Sequence, residues 1–164
     1  MVRLAPLTAL VTLVVLSTAT ALRFDYDVRI LNRKSGGWVN GHDGLSYAPI
    51  VVEEKSANAF GVWSVKQAPD NGPNYIVNKG SESPIITPLD EEQPLVTFGG
   101  RLPPSFVRLE DVDVSAYRIQ DTRTELYWTR ERNLIYLRDL NTSDDNQVWE
   151  FRPEGFDDEF AFWE

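Results

Sequence analysis

Phe60-Gly-Val-Trp-Ser-Val65 is the first of three short apolar runs that recur at a fixed spacing along this chain. The other two runs are Ser105-Phe-Val-Arg-Leu109 and Gln147-Val-Trp-Glu-Phe151, and the aromatic residues Trp63, Phe106 and Trp149 lie 43 residues apart. Such spacing indicates a repeat architecture, because one short β unit cannot bury its apolar face alone and needs its copies to complete a core. We therefore expect the three aromatic rings to meet in a common interior.

A second series of residues supports the threefold repeat. An isoleucine opens each segment and stands two positions before a residue typical of turns; the pairs are Ile30 with Asn32, Ile76 with Asn78, and Ile119 with Asp121. The first isoleucine interval is 46 residues and the second is 43. The difference predicts a small insertion in the loop from Gln67 to Asn74.

Alternating apolar and polar residues predict about four short strands in each copy and no helix. Three such copies predict an all-β protein with the β-trefoil fold, which is a six-stranded closed barrel capped by three hairpins with threefold pseudosymmetry. Closure of the barrel removes exposed strand edges. A β-sandwich is the alternative, but it does not explain the equal spacing.

The first residues have the composition of an export signal. Arg3 is followed by the apolar stretch from Leu4 to Leu16 and by the small residues Ala19-Thr-Ala21. We therefore predict a signal peptide over 1–21, a β-trefoil domain over 22–153 and an acidic, aromatic tail over 154–164, in a secreted, extracellular protein. The apolar stretch is shorter than the roughly 20 residues of a membrane helix, so no membrane association is expected.

The charge and the cysteine content of the chain exclude several classes of function. The chain carries 25 acidic and 16 basic residues, with a net charge of −9, so it repels phosphate backbones and no nucleic-acid partner is expected. A cationic partner would be attracted. The chain has no cysteine, which excludes disulfides and thiol catalysis and leaves stability to packing of its aromatic residues.

The sequence gives little evidence of enzyme activity or of metal binding. His42 is the only histidine, and no arrangement of serine, histidine and acid resembles a catalytic triad. The acidic and amide residues between Asp139 and Glu150 have the spacing of a calcium loop, but Asp144 occupies the position that requires glycine. We predict an acidic hairpin loop there, and a protein that is not an enzyme and needs neither metal nor cofactor.

The run Gln147–Phe151, the Ile-x-Asn openings at Ile30 and Ile76, and the cysteine-free threefold period carry a family resemblance. The chain resembles the small β-trefoil proteins of mushroom-forming fungi, in particular the cospin-type serine protease inhibitors, and more distantly the mycocypin cysteine protease inhibitors and the ricin-B-like lectins. It departs from the inhibitors in carrying an export signal.

The resemblance implies a loop that occupies the cleft of a secreted protease, with the serine type favoured. The implied reactive loop is Asn40–Ala48, in which Asn40, followed by Gly41, would be offered to the specificity pocket. A second candidate is Gly99–Pro104, where Arg101 suits a pocket with a carboxylate, Leu102 follows, and two prolines stiffen the chain. The alternative for the first segment is an ordinary glycine-rich turn, and the alternative for the second is a loop made rigid for stability.

The lectin alternative depends on the Gln-x-Trp run, because sugar faces stack on aromatic rings while amides and carboxylates bind the hydroxyls. Only the third copy has the glutamine, so at most one glycan site is expected. Its candidate residues are Asp121, Tyr127 or Trp128, Asn133 and Gln147.

Two further features concern the surface. Asn141-Thr-Ser143 is the only glycosylation sequon, and export would make it usable; a mass above that of the bare polypeptide from a eukaryotic host would show the modification. The tail after Pro153 alternates acidic and aromatic residues. It could pack across the barrel or bind a partner.

Overall fold

The computed structural model describes residues 27–42, 47–56, 58–69, 71–90, 92–100 and 102–154. The predicted signal peptide and the tail from residue 155 onward lie outside the described residues. Within these ranges the chain forms thirteen strands and two short 3₁₀ turns, at Asn58–Gly61 and Asp145–Gln147. The strands are β1 (Asp27–Asn32), β2 (Gly37–Asn40), β3 (Ala48–Pro49), β4 (Val51–Glu53), β5 (Trp63–Gln67), β6 (Asn74–Asn78), β7 (Ser83–Ile86), β8 (Val96–Thr97), β9 (Phe106–Asp113), β10 (Ala116–Asp121), β11 (Tyr127–Glu131), β12 (Leu134–Arg138) and β13 (Trp149–Pro153).

Six of these strands close into a barrel. Around the ring, β1 pairs with β5, β5 with β6, β6 with β9, β9 with β10, β10 with β13, and β13 with β1 again, always antiparallel. The ring therefore has no free edge. The predicted insertion corresponds to the loop 68–73 between β5 and β6, which is longer than the two-residue connection between β9 and β10.

Three hairpins cap one end of this barrel. They are formed by β2 with β4, β7 with β8, and β11 with β12. The hairpins are joined by backbone hydrogen bonds, from Ile50 N to Leu95 O at 2.9 Å and from Leu95 N to Ile135 O at 2.8 Å, and by the pairing of β4 with β12. A six-stranded barrel with three capping hairpins is the β-trefoil fold, so the predicted architecture is confirmed.

The interior of the barrel follows the threefold pattern. Ile30, Ile76 and Ile119 are buried in β1, β6 and β10. Trp63 and Trp149 are completely buried, and their indole N–H groups donate to the carbonyl oxygens of Val39 at 2.8 Å and Trp128 at 3.1 Å. Each tryptophan thus joins a barrel strand to a cap hairpin.

The expectation that Phe106 completes this set is wrong. Its side chain is 37% exposed, whereas that of Val107 is 2% exposed. Strand pairing gives the reason, because the residues that lie opposite the three turn residues Asn78, Asp121 and Asn32 are Trp63, Val107 and Trp149. A displacement of one residue along a strand turns a side chain to the opposite face.

Asn32, Asn78 and Asp121 make the same turn in the three copies. In each case Oδ1 accepts hydrogen bonds from the backbone N–H and the hydroxyl of the residue three positions later, which is Ser35, Ser81 and Thr124 respectively. All three side chains are buried. The turn residues predicted from the sequence therefore stabilise, from inside the fold, the turns that connect the barrel strands to the cap hairpins.

A charged cluster ties the start of β1 to the end of β13. Lys79 Nζ lies 2.5 Å from Asp27 Oδ2 and 3.0 Å from Glu154 Oε2, and the Ser64 hydroxyl donates to Asp27 Oδ1. The hydrogen bond from Lys79, followed by that from Ser64, holds the pKa of Asp27 below its ordinary value of 3.8. The ionised form of Asp27 is therefore the form that the folded state favours.

This cluster predicts a loss of stability in acid. Because the pKa of Asp27 is lower in the folded state than in the unfolded state, its contribution is present above about pH 4 and is lost as the pH falls through the folded pKa. We expect the melting temperature of Asp27→Asn to depend less steeply on pH below 4 than that of the wild type. Thermal unfolding of both proteins between pH 2.5 and 7 measures this, and parallel curves would contradict it.

Candidate functional site

The described surface carries an apolar groove beside the cap. Six large hydrophobic side chains are exposed among the described residues, and four of them line this groove. The four are Tyr47, Leu89, Leu102 and Phe106. Clustering of exposed apolar groups is uncommon on soluble monomers and typically marks a binding surface.

The groove consists of two hollows of about 450 Å³ each. The first hollow lies between residues 86–89, 102–106 and 121–123. The second hollow lies between Ile86, residues 88–90, residues 93–94, Val96 and Pro49. Both are bordered by Pro88 and Leu89, which we call the ridge, and by Tyr47.

Proline makes the walls of the groove stiff and poor in hydrogen-bond donors. Five of the ten prolines of the chain line the two hollows: Pro49, Pro88, Pro94, Pro103 and Pro104. Proline fixes φ and has no backbone N–H. A surface of this kind is preorganised, so binding loses little entropy there, and it suits apolar side chains better than sugar hydroxyls.

Tyr47 is held in an uncommon conformation at the border of both hollows. Its φ is +51°, a left-handed value that is rare for an aromatic residue, and its ring stacks on Phe98 with 4.6 Å between centroids. Backbone strain of this kind concentrates at functional positions. The exposed ring of Tyr47 is thus supported on one side by the ring of Phe98.

Polar groups beneath the groove are engaged with one another. The Thr87 hydroxyl donates to Asp121 Oδ2 at 2.6 Å, and Thr87 N donates to the Ser105 hydroxyl at 2.7 Å. Arg123 Nη2 donates to the Pro88 carbonyl at 3.0 Å. These bonds connect the ridge and the first hollow to the barrel. Asp121 and Arg123, which belong to the third repeat, thus support a surface that is formed mainly by residues of the second repeat.

The structure does not present Asn40 and Gly41 to a partner. Asn40 is 1% exposed, and its Nδ2 donates to Glu53 Oε2 and to the Lys55 carbonyl, both at 2.9 Å. Gly41 is also buried, and a Cβ there would lie 2.7 Å from Nδ2 of Asn78. The role implied for Asn40 in a protease pocket is therefore not compatible with its placement, because the side chain anchors the chain after β4.

The two loops that the sequence offers as alternatives meet in one groove. Arg101 and residues 43–46 lie outside the described residues. Leu102 is 41% exposed and lines the first hollow, and so does Tyr47, which belongs to the Asn40–Ala48 segment. Tyr47 from the first segment and Leu102 from the second therefore contribute to a single surface.

The predicted glycan residues do not form an exposed site. Asp121, Trp128 and Gln147 are each 1% exposed, and only Asn133 among the four is at the surface. Gln147 donates to the Thr129 hydroxyl and the Asp139 carbonyl, and its Oε1 accepts from Asn141 N. The side-chain amide of Gln147 thus stabilises the loop before β13. The Trp128 ring belongs to the core.

The acidic loop before β13 is organised by its own side chains. Asn141 is exposed and its Oδ1 accepts from the backbone N–H and the hydroxyl of Ser143, which leaves glycosylation there as a prediction. Asp144 accepts from Asn146 N and caps the following 3₁₀ turn. No three acidic or histidine side chains within the described ranges come together as a metal site.

The single histidine of the chain, His42, is exposed at the end of the segment that follows β2.

Three residues of the groove were missed by the sequence reasoning. Tyr47 lay inside a candidate loop but had no role, Phe106 was assigned to the core, and Leu89 was not singled out. A usable signal was the segment Pro88-Leu-Asp90, where a bulky apolar residue stands between a proline and an acid in a turn. Such a leucine has no strand to bury it.

Comparisons with known proteins identify the fold and not the family. No protein-family model matches the sequence, and no curated protein matches it. Among solved structures, ThreeFoil, a designed threefold-symmetric protein, is 13% identical with a TM-score of 0.67 over 77% of this chain and 97% of its own. A ricin B-like lectin from Macrolepiota procera, solved with lactose, is 15% identical with a TM-score of 0.65 over 82% of this chain and 99% of its own. A proteinase inhibitor from Coprinopsis cinerea is 14% identical with a TM-score of 0.64 over 78% and 97%.

Proposed function

We propose that this β-trefoil protein is a secreted inhibitor of a serine protease and that it binds the enzyme through the Gly99–Pro104 loop and the first hollow. The observation that carries this proposal is the placement of Leu102, whose partly exposed side chain stands beside a rigid apolar groove. The alternative reactive residue Asn40 is buried. The neighbour that is a proteinase inhibitor shows that this fold is compatible with such a role, at an identity that transfers no residue roles.

Inhibition requires binding without turnover, and the loop has features that suit it. A protease cleft accepts an extended segment, and Pro103-Pro104 favours an extended backbone after Leu102. Ser105 N donates to the Ile85 carbonyl at 3.0 Å, which fixes the end of the loop on β7. A segment that is stiffened by prolines and fixed at its end would lose less entropy on binding than a free segment.

A sugar ligand is less well supported by the geometry. A glycan site needs an exposed ring with polar groups beside it, whereas the Trp128 ring is buried, and Asp121 and Gln147 are buried with their side chains already hydrogen-bonded. The groove itself is apolar and rich in proline. Both properties favour a protein partner.

Titration of the purified protein against a panel of serine and cysteine proteases tests the proposal. We expect stoichiometric inhibition of at least one serine protease, and we expect the double variant Arg101→Ala/Leu102→Ala to raise the inhibition constant by about 30-fold or more, as for a central interface residue. Val114→Ala is the matched control, because Val114 is 90% exposed in the turn between β9 and β10, away from the groove.

Two results would count against the proposal. If an excess of the protein slows none of the proteases, it is not an inhibitor of these classes. If the double variant inhibits as well as the wild type, another surface acts. Secretion is tested separately, since export predicts a mature chain that begins at Leu22 in N-terminal sequencing from a eukaryotic host.

A further inference from the structure

We infer that the second hollow and the ridge form a separate docking surface, which binds an extended protein segment with bulky apolar side chains flanked by basic ones. The inference rests on the proposed function for the identity of the partner, which would be the inhibited protease bound outside its cleft. The ridge borders both hollows, but the second hollow is independent of the Gly99–Pro104 loop, because no residue of that loop lines it. Binding at the second hollow can therefore be tested separately from the Gly99–Pro104 loop.

The ridge is the most exposed apolar feature of the groove. Leu89 is 92% exposed in the loop between β7 and β8, where it borders both hollows. The loop is held from below by the bond from Arg123 to the Pro88 carbonyl. The loop buries Leu95 but leaves Leu89 almost wholly in water, so a partner that covers Leu89 would gain its apolar area on binding.

The second hollow would receive an apolar side chain of the partner. Its walls include Pro49, Pro94 and Val96, and among the described residues that line it only Asp90 is charged. Proline walls offer no N–H groups, so an anion or a sugar would find few donors there. A leucine or phenylalanine side chain fits both the volume and the chemistry.

The charges at the rim indicate basic neighbours for that apolar side chain. Asp90 lines the second hollow, and Glu92, two residues farther, has a side chain that is 83% exposed and a long contact of 3.7 Å to Arg138. The whole chain has a net charge of −9, which would attract a cationic surface at long range. In an extended segment the neighbours of an inward apolar residue point away from the hollow, where lysine or arginine can reach these carboxylates.

A peptide titration tests the surface without any protease. The probe is an acetylated and amidated pentapeptide of alternating lysine and leucine, and its matched counterpart has glutamate in place of lysine. We expect the basic peptide to shift the amide NMR signals of Leu89, Asp90 and Val96, and we expect the acidic peptide to leave them unchanged. The shifts should weaken several-fold between 20 and 300 mM salt. Equal binding of both peptides, or of neither, would overturn the inference.

Two single variants separate the ridge from other exposed aliphatic residues. Leu89→Ser should weaken binding of the basic peptide by about fivefold or more, whereas Val114→Ser should leave it within twofold, since both side chains are almost fully exposed and neither supports the core. If Leu89→Ser instead abolishes a dimer seen by analytical ultracentrifugation, the groove binds a second copy of this chain and the proposed partner is wrong.

The same variants distinguish this inference from the proposed function. With an inhibited protease in hand, Leu89→Ser should raise the inhibition constant by about fivefold, and the Arg101→Ala/Leu102→Ala variant should raise it more. Because Leu89 also borders the first hollow, Asp90→Asn, which alters the second hollow alone, should raise the constant as well, by about twofold. An unchanged constant for Leu89→Ser, with the loop variant impaired, would remove the docking surface and leave the inhibitor. Peptide binding that depends on Leu89, without any inhibited protease, would keep the docking surface and remove the inhibitor.

Discussion

Replacing Trp63 by alanine is expected to lower the free energy of unfolding by about 3–5 kcal/mol, which is typical for truncation of a buried aromatic residue. Trp63 is the first residue of β5, which pairs with β1 and β6, and it is completely buried. Its indole N–H donates to the Val39 carbonyl of the first cap hairpin. Alanine would leave a cavity in the barrel and a buried carbonyl without its donor. Urea unfolding followed by fluorescence and circular dichroism measures the loss.

Phe106→Ala is the matched control for this prediction. Phe106 was paired with Trp63 by sequence spacing, but its ring is on the outside of β9, where it contacts the edge of Tyr75 with 6.2 Å between centroids. We expect a loss of about 1 kcal/mol or less. A loss comparable with that of Trp63→Ala would place Phe106 in the core and would contradict the pairing of Val107 with Asp121 in β9 and β10.

Replacing Asp121 by alanine is expected to cost about 2–4 kcal/mol. Its carboxylate accepts hydrogen bonds from Arg123 N, from Thr124 N and hydroxyl, and from the Thr87 hydroxyl. Because the site is almost fully buried, removal of the acceptor leaves several donors without partners, each at a cost of about 1–3 kcal/mol before relaxation. Thermal and urea unfolding of the variant measure the effect.

Asp121→Asn should retain most of the stability, within about 1 kcal/mol of the wild type. Asparagine already makes this turn at the equivalent positions Asn32 and Asn78, where Oδ1 accepts the same two bonds and Nδ2 donates to a backbone carbonyl. The amide group would bond to Thr87 if the threonine hydroxyl reversed its direction. A large loss for Asp121→Asn would show that the negative charge itself is required.

These stabilities affect how a glycan experiment is interpreted. Asp121 and Gln147 support turns from inside the fold, so a variant at either position that loses glycan binding could do so by loosening the domain. Asn133 is exposed and is the suitable position for a direct test, because only its backbone carbonyl has a structural role, as the acceptor from Val52 N. Stability has to be measured beside binding in each case.

Much of the strand plan was predictable because it depends on local periodicity. Ile30, Ile76 and Ile119 recur at nearly equal intervals within strand-like runs, and they are buried in the barrel strands where the pattern places them. Asn32, Asn78 and Asp121 were recognised as turn residues from their side-chain chemistry. The site was predicted less well, since only Leu102 of the four exposed groove residues was a candidate in the role that the structure supports.

The sequence alone established an acidic, cysteine-free chain with three copies of four short strands, because charge, composition and side-chain alternation are local properties that survive without neighbours. Only the tertiary structure decided which residues face water. Asn40 was buried by its bonds to Glu53 and Lys55, and Phe106 was turned outward by the pairing of β9 with β10. Tyr47, Leu89 and Leu102 came together from three separate loops. Long-range pairing brings distant segments together, and a one-residue change in register reverses a side chain. A local pattern can therefore indicate one exposed residue such as Leu89, but it does not show that the three loops form one groove.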